Sequence, residues 1–403
     1  MHAPTGTLQD FTVPDPGSST LRKVYSRAIG RLLRELRPLV RRHARGDVQE
    51  GLLSLGATLD ALVPGNVGPV ASLLRRPNVG ALVRVLGAAP PGEAAGLALE
   101  LGALLSLELA AMGLLSRDVS LPRGPARMLS LLSRVSVEVP EASGALRFTN
   151  GRLTVGGGEG PATLDLARLE GHPWVKRPYR EVSGDVVLAL ADNNPLAMIE
   201  AHPDKSGNAV DLGGKSEDEW VSALRGALEI IGRDLPEFRA EMDVTLSQLV
   251  PVGHDAEKHL SASYQEAIGT VYLTLHPDPM TMAEALIHEA SHNKLNALFE
   301  LDRVLENAHT PLFTSPVRPD PRPLHGVLLA VHAFVPVARL YERMIAREPP
   351  HPARERLIAR FREIVRGNHE GTALLLEHAR PTALGRGLFE ELGKWDAHYA
   401  GGP

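Results

Sequence analysis

One pentapeptide, His288-Glu289-Ala290-Ser291-His292, constrains this chain more than any other feature, because its residue types make chemical sense only on a helix. Positions i and i+4 of an α-helix lie one above the other on one face, so the two imidazoles can approach a single ion with Glu289 beside them. The flanking residues supply that helix. Asp278 suits the N-cap, Pro279 the first helical position, and Ala283, Glu284, Ala285 and Leu286 are strong helix formers leading into the motif. Upstream, Thr270 to Leu275 alternates and is rich in β-branched residues, which predicts a strand. The expected order is therefore strand, tight turn, metal-binding helix.

Composition removes several alternatives. Cysteine is absent, so disulfides, thiolate metal sites and cysteine nucleophiles are excluded, and a transition metal must be held by histidine and carboxylate. The 43 Lys plus Arg against 48 Asp plus Glu leave a formal net charge of −5, which offers no field to gather nucleic acid. With 403 residues, 43% of them hydrophobic, the chain can bury a proper core. The first twenty residues lack the basic start and apolar run of a secretion signal, so a cytoplasmic location is expected. Ala94 to Leu115 is apolar enough to suggest a membrane span, but Glu100 and Glu108 interrupt it. A buried helix fits better than a bilayer, with the two glutamates expected on a solvent-facing rim.

The texture of the chain changes twice, and the fold class expected is α+β, predominantly helical. Residues 1–134 read as a helical N-terminal region, with apolar residues at three-and-four spacing such as Leu32, Leu33, Leu36, Leu39 and Val40. Residues 135–215 read as a small β-containing middle. Val135 to Val139 alternates, Asn150-Gly151 sits between two short strand-like runs as a hairpin signal, and Val186 to Leu190 reads as a buried strand. The glycine run at 156–158 lacks the Gly-Lys-Ser/Thr of a phosphate loop and reads as a turn. Residues 216–403 read as the catalytic, mostly helical part. There Glu217 to about Val250 shows helical spacing with Trp220, Leu224, Leu228 and Ile231 as a core stripe, and Pro323 opens a long helix after a proline-rich connection.

Two histidines rarely complete a catalytic metal site, so a third ligand is expected. The helix after Pro323 offers His325 and His332. His332 is favoured because it lies in an apolar run, where an unpaired imidazole is costly and a metal would satisfy it. His254, His259 and His276 precede the motif, while Glu300 and Asp302 follow it; an acidic third ligand from that pair would point to zinc hydrolysis. On spacing alone the leading chemistry is that of a zinc metallopeptidase, with Glu289 as general base for metal-bound water.

The stretch AEALIHEASHNKLNALFELD, followed by RPDPRPLHGVLLAVHAFVPVARLY, resembles the HExxH-motif peptide-modification family, which includes iron- and 2-oxoglutarate-dependent peptide β-hydroxylases acting on ribosomally made natural-product precursors. The likeness runs from about Ser261 to Tyr341. It implies an oxygenase in which Fe(II) is held by His288, His292 and His332, with 2-oxoglutarate as cosubstrate and a precursor peptide as substrate. It also implies a cation for the distal carboxylate of the cosubstrate, for which Arg322 is the first choice, with Arg318 and Lys294 behind it. Under this reading Glu289 has no obligatory chemical step and supports the ligands.

Overall fold

Apolar residues at helical intervals, among them Leu21, Val24, Tyr25, Leu32 and Leu36, form the buried stripe of the first long helix, α1 (Thr20–His43). The computed structural model describes residues 8–140, 144–157, 160–199, 207–313, 321–347 and 352–401. After α1 come α2 (Gln49–Leu62), α3 (Val67–Arg75), α4 (Pro77–Ala88) and α5 (Pro91–Ala111). The chain is α+β, with helices first, sheets in the middle and a helical C-terminal part that carries the motif.

The N-terminal helices end earlier than the sequence suggests. Two strands, β1 (Val119–Leu121) and β2 (Arg127–Ser130), already lie within the region expected to be helical. They are short and pair with later strands: β2 with β3 (Val135–Glu138), and β1 with β4 (Leu146–Thr149). The Asn150-Gly151 turn joins β4 to β5 (Arg152–Val155) in register Thr149 to Arg152, with Gly151 at φ +78°. Asn150 also fixes the connection that follows α5, accepting from Leu115 N at 2.8 Å and donating to Leu115 O at 3.0 Å. The strands β6 (Ala162–Asp165) and β7 (Val175–Lys176) complete these two small antiparallel sheets.

Helix α5 is the core helix expected, but Glu108 is not on a solvent rim and Glu100 is only half-exposed. Glu108 is 2% exposed and Glu100 accepts from Asn193 Nδ2 at 3.3 Å. Burial pushes Glu108 up to about 7 against a hydrogen bond from Ser130 of β2. By length and composition, the segment Gly92–Ala111 and the later helix Leu324–Arg347 could each cross a membrane; both are mostly buried within the chain.

The sheet that positions the motif has five strands. Its order is β11 (Ser261–Ala262), β12 (Thr270–Leu275), β10 (Gln248–His254), β9 (Val186–Ala189) and β8 (Tyr179–Ser183). Strands β9, β10 and β12 run parallel, so β9 and β10 need a crossover. Helices α6 (Glu217–Asp234) and α7 (Pro236–Thr245) provide it. The single helix expected from Glu217 to about Val250 is therefore divided. Pro236 cannot donate an amide and pushes Leu235 out of helical geometry (φ −137°, ψ 56°), and Gln248 to Val250 join the sheet. The α6 entrance is a capping box between Ser216 and Glu219.

Strand β12 does not alternate: all six residues are buried, as befits an inner strand of a sheet covered by helices. It leads into α8 (Pro279–Phe299), whose N-cap Asp278 accepts from Met280 N at 3.0 Å. A short pair, β13 (Leu312–Phe313) and β14 (Arg322–Pro323), then precedes α9 (Leu324–Arg347), α10 (Pro352–His378) and α11 (Ala383–Ala400). Helix α8 is wedged between two apolar clusters. Leu295 and Leu298 join the one built on α1 to α5, whereas Leu286, Ile287 and Ala290 join Trp220, Leu224, Leu228 and Ile231 of α6.

Candidate metal centre

Burial on nearly every side leaves α8 little freedom to rotate, and hydrogen bonds lock it to the sheet. Asn293 Oδ1 accepts from Gly269 N at 2.7 Å, and Asn293 Nδ2 donates to Glu289 O at 3.0 Å. One turn before the motif, Glu284 pairs with Arg360 of α10 at 2.7 Å and accepts from Tyr341 of α9. The face bearing His288 and His292 is thereby held in place.

His288, Glu289 and His292 form the one group of possible metal-holding side chains among the described residues, with ligand atoms within 4.8 Å of one another. The two imidazole centroids are 4.3 Å apart. Among the described residues, buried His288 Nδ1 and His292 Nε2 find no hydrogen-bond partner. Such atoms cost about 1–3 kcal/mol each if left so, and an ion would satisfy them. The donor set therefore fits a metal. Burial, with His292 alongside, pushes His288 down to about 3, so its ring is neutral and able to ligate.

Glu289 sits 2% exposed beneath the histidines. Ser261 donates to its Oε1 and Ser263 to its Oε2, each at 2.7 Å, while His292 Nδ1 lies 3.4 Å from Oε2. Burial alone would raise a carboxyl. Here His292, His288 and the Ser263 hydroxyl outweigh it and hold Glu289 down to about 2. An ionised Glu289 facing Nδ1–H of His292 leaves the Nε2 lone pair for a metal, the usual arrangement of a ligating histidine and its carboxylate. The two serines come from the edge strand β11 and the residues after it, a contribution that no local spacing advertises.

A cavity of about 450 Å³ opens at the cluster. Its walls include His259, Ser261, Arg322 and Phe334 along with the three motif residues. Phe334 packs edge-on against His288 at 4.8 Å. Arg322 shares this wall, and its side chain passes Gly326, where an added Cβ would sit 3.8 Å from Nη1.

The remaining expected site residues that are described do not line this cavity. His332 is fully buried, but it neither belongs to the ligand group nor lines the cavity; its ring packs 5.6 Å from Phe11. Burial and the nearby Lys294 charge push it well below the usual histidine range. His325 is half-buried between Phe299 and His309, not solvent-exposed. Lys294 is 1% exposed and pairs with Glu241 at 2.5 Å, so its ammonium is spent inside the core. Glu300 pairs with Arg84, and Asp302 accepts from Val304 N and Thr382 Oγ1. Arg318 lies outside the described residues.

The chain matches no protein-family model. No similar curated protein was found either.

Proposed function

We propose that this protein is an Fe(II)- and 2-oxoglutarate-dependent dioxygenase that hydroxylates the β-carbon of a residue in a ribosomally made precursor peptide. The observation that carries this reading is the Arg322 side chain on the same cavity wall as His288 and His292. A guanidinium fork matches a carboxylate in bidentate fashion, and a dicarboxylate cosubstrate needs a cation a short distance from the metal.

Each residue has a definable task. His288 and His292 hold the ion through one nitrogen each. Glu289 fixes the tautomer and orientation of His292, and Ser261 and Ser263 fix Glu289. Arg322 binds and orients the distal carboxylate of 2-oxoglutarate. Leu329, Ala330 and Phe334 give the cavity an apolar side that limits water near the reacting carbon. Iron with 2-oxoglutarate supplies the oxidising chemistry: one oxygen atom of dioxygen goes to the cosubstrate, which leaves as succinate and carbon dioxide, and the other to the substrate.

The zinc metallopeptidase reading asks Glu289 to take a proton from water. Both of its oxygens already accept from serines, so proton abstraction would have to break one of these hydrogen bonds. That argues for orientation in preference to proton abstraction.

The test is succinate release from 2-oxoglutarate by the purified protein with Fe(II), ascorbate and candidate precursor peptides. Iron-dependent succinate with a peptide mass gain of one oxygen is expected, and Arg322→Gln should raise the KM for 2-oxoglutarate about ten-fold or more while metal content holds. No succinate with any peptide, or peptide cleavage instead, would overturn the proposal.

A further inference from the structure

We infer that His259, in the loop between β10 and β11, supplies the third imidazole of the metal centre. The inference rests on the metal-site reading above and goes beyond the motif helix. His259 lines the same cavity as His288 and His292, whereas His332 and His325 do not.

The hydrogen bonds around His259 set the protonation state a ligand needs. Its Nδ1 lies 3.3 Å from Thr274 Oγ1. That hydroxyl also accepts from Leu260 N at 3.0 Å and donates to Leu260 O at 3.4 Å. A threonine hydroxyl has one proton and two acceptor sites. With its proton directed to Leu260 O and one acceptor site filled by Leu260 N, the remaining site receives a proton from His259 Nδ1. The lone pair then falls on Nε2, the atom a metal would take, and the Nδ1–H donation is the supporting contact that ligating histidines habitually make. Thr274 belongs to the buried strand β12, one of the most firmly held elements beside the site, so the ring is steered by a rigid neighbour.

The competing donors are otherwise engaged. Glu289 is clamped by two serine hydroxyls, Glu300 by Arg84 and Asp302 by Thr382. His259 stands outside the tight three-residue group, on a loop that Asp255 braces by accepting from Glu257 N and Lys258 N at 2.8 and 2.9 Å. Thr274 is accordingly a positioning residue.

Cobalt(II) titration of the metal-stripped full chain, read by visible absorption and by binding affinity, tests the assignment. Wild type should bind one ion, His288→Ala none at the site, and His259→Ala should bind about ten-fold or more weakly with an altered visible band. Thr274→Val, which removes the hydroxyl and keeps the strand, should weaken binding less and leave the number of ligands unchanged; it also serves if His259→Ala folds poorly. A His259→Ala protein with wild-type band and affinity overturns the role of His259 while the two-histidine site stands. A wild-type chain that binds no cobalt overturns the metal reading itself.

Discussion

Replacing Lys294 by methionine should cost this protein about 3 kcal/mol at pH 7, and the size of that loss follows from where Lys294 and Glu241 sit. Both are buried, 1% and 7% exposed, and the pair is 2.5 Å apart. Methionine keeps the stem between Phe11 and Phe238 but removes the charge, leaving the Glu241 carboxylate without its partner. Burial already pushes Glu241 up, and Lys294 is what pulls it back. Stranding such a charge costs about 3–5 kcal/mol. Protonation sets a ceiling, because neutralising a carboxyl of ordinary pKa 4.5 at pH 7 costs about 3.4 kcal/mol, at about 1.36 per unit. The sign of the pH dependence is fixed by the same ceiling. In the variant the folded pKa of Glu241 is raised above its unfolded value, so the deficit grows as pH rises from 4.5 and shrinks toward about 1 kcal/mol near pH 5. Urea denaturation followed by circular dichroism at pH 5, 6 and 7 measures this directly. A double variant, Lys294→Met with Glu241→Leu, should regain most of the loss, since an apolar pair of similar volume often replaces a buried ion pair at little cost. A loss under 1 kcal/mol at pH 7, or one that does not change with pH, would refute the reasoning. If the double variant is stable yet fails to use 2-oxoglutarate, Lys294 has the cosubstrate role suggested by sequence after all.

Three further outcomes are expected. Glu289→Gln should retain metal with reduced affinity, because an amide still accepts from one serine but no longer presents an ionised oxygen to His292; inductively coupled plasma analysis beside activity checks this, and complete loss of a peptide-cleaving activity with full metal content would favour the hydrolytic reading. Gly269→Ala should destabilise by about 2 kcal/mol or more, since φ is +103° and an added Cβ would lie 2.8 Å from Thr245 O; an unchanged urea midpoint would contradict it. Glu391, which accepts from Phe11 N, Thr12 N and Val13 N, is pushed by burial up to about 7, so it takes up a proton on folding: its contribution is fully present below its ordinary 4.5 and is lost as pH rises through about 7. Glu391→Gln should flatten the stability profile across that window, and an unaltered slope would show that the carboxyl stays ionised.

Local signals read correctly wherever the physics was local. The N-cap at Asp278, the proline after it, the i, i+4 histidines and the Asn-Gly hairpin each depend on neighbours within a few residues, and the structure contains them all. The failures share a cause. Gln248 to Val250 carries no strong strand signal because its strandness comes from β9 and β12 on either side, both remote in sequence. Glu108 looked like a surface residue because the side chain that meets it, Ser130, lies on another element. Lys294, two residues past His292, looked like a cosubstrate cation, but helical pitch turns it to another face of α8, where Glu241 pairs with it.

The sequence by itself determined that two imidazoles and a carboxylate share one turn of a capped helix, since helical pitch alone brings residues 288, 289 and 292 together. What the rest of the site is made of was decided by tertiary structure. Ser261, Ser263, His259 and Arg322 reach the cavity from a sheet edge, a loop and the short strand β14, and only the packing of α8 between two apolar clusters against the edge of the sheet brings them there. Spacing along a chain encodes distances within one element; which elements face each other depends on which apolar surfaces bury best against one another, and that is a property of the whole chain.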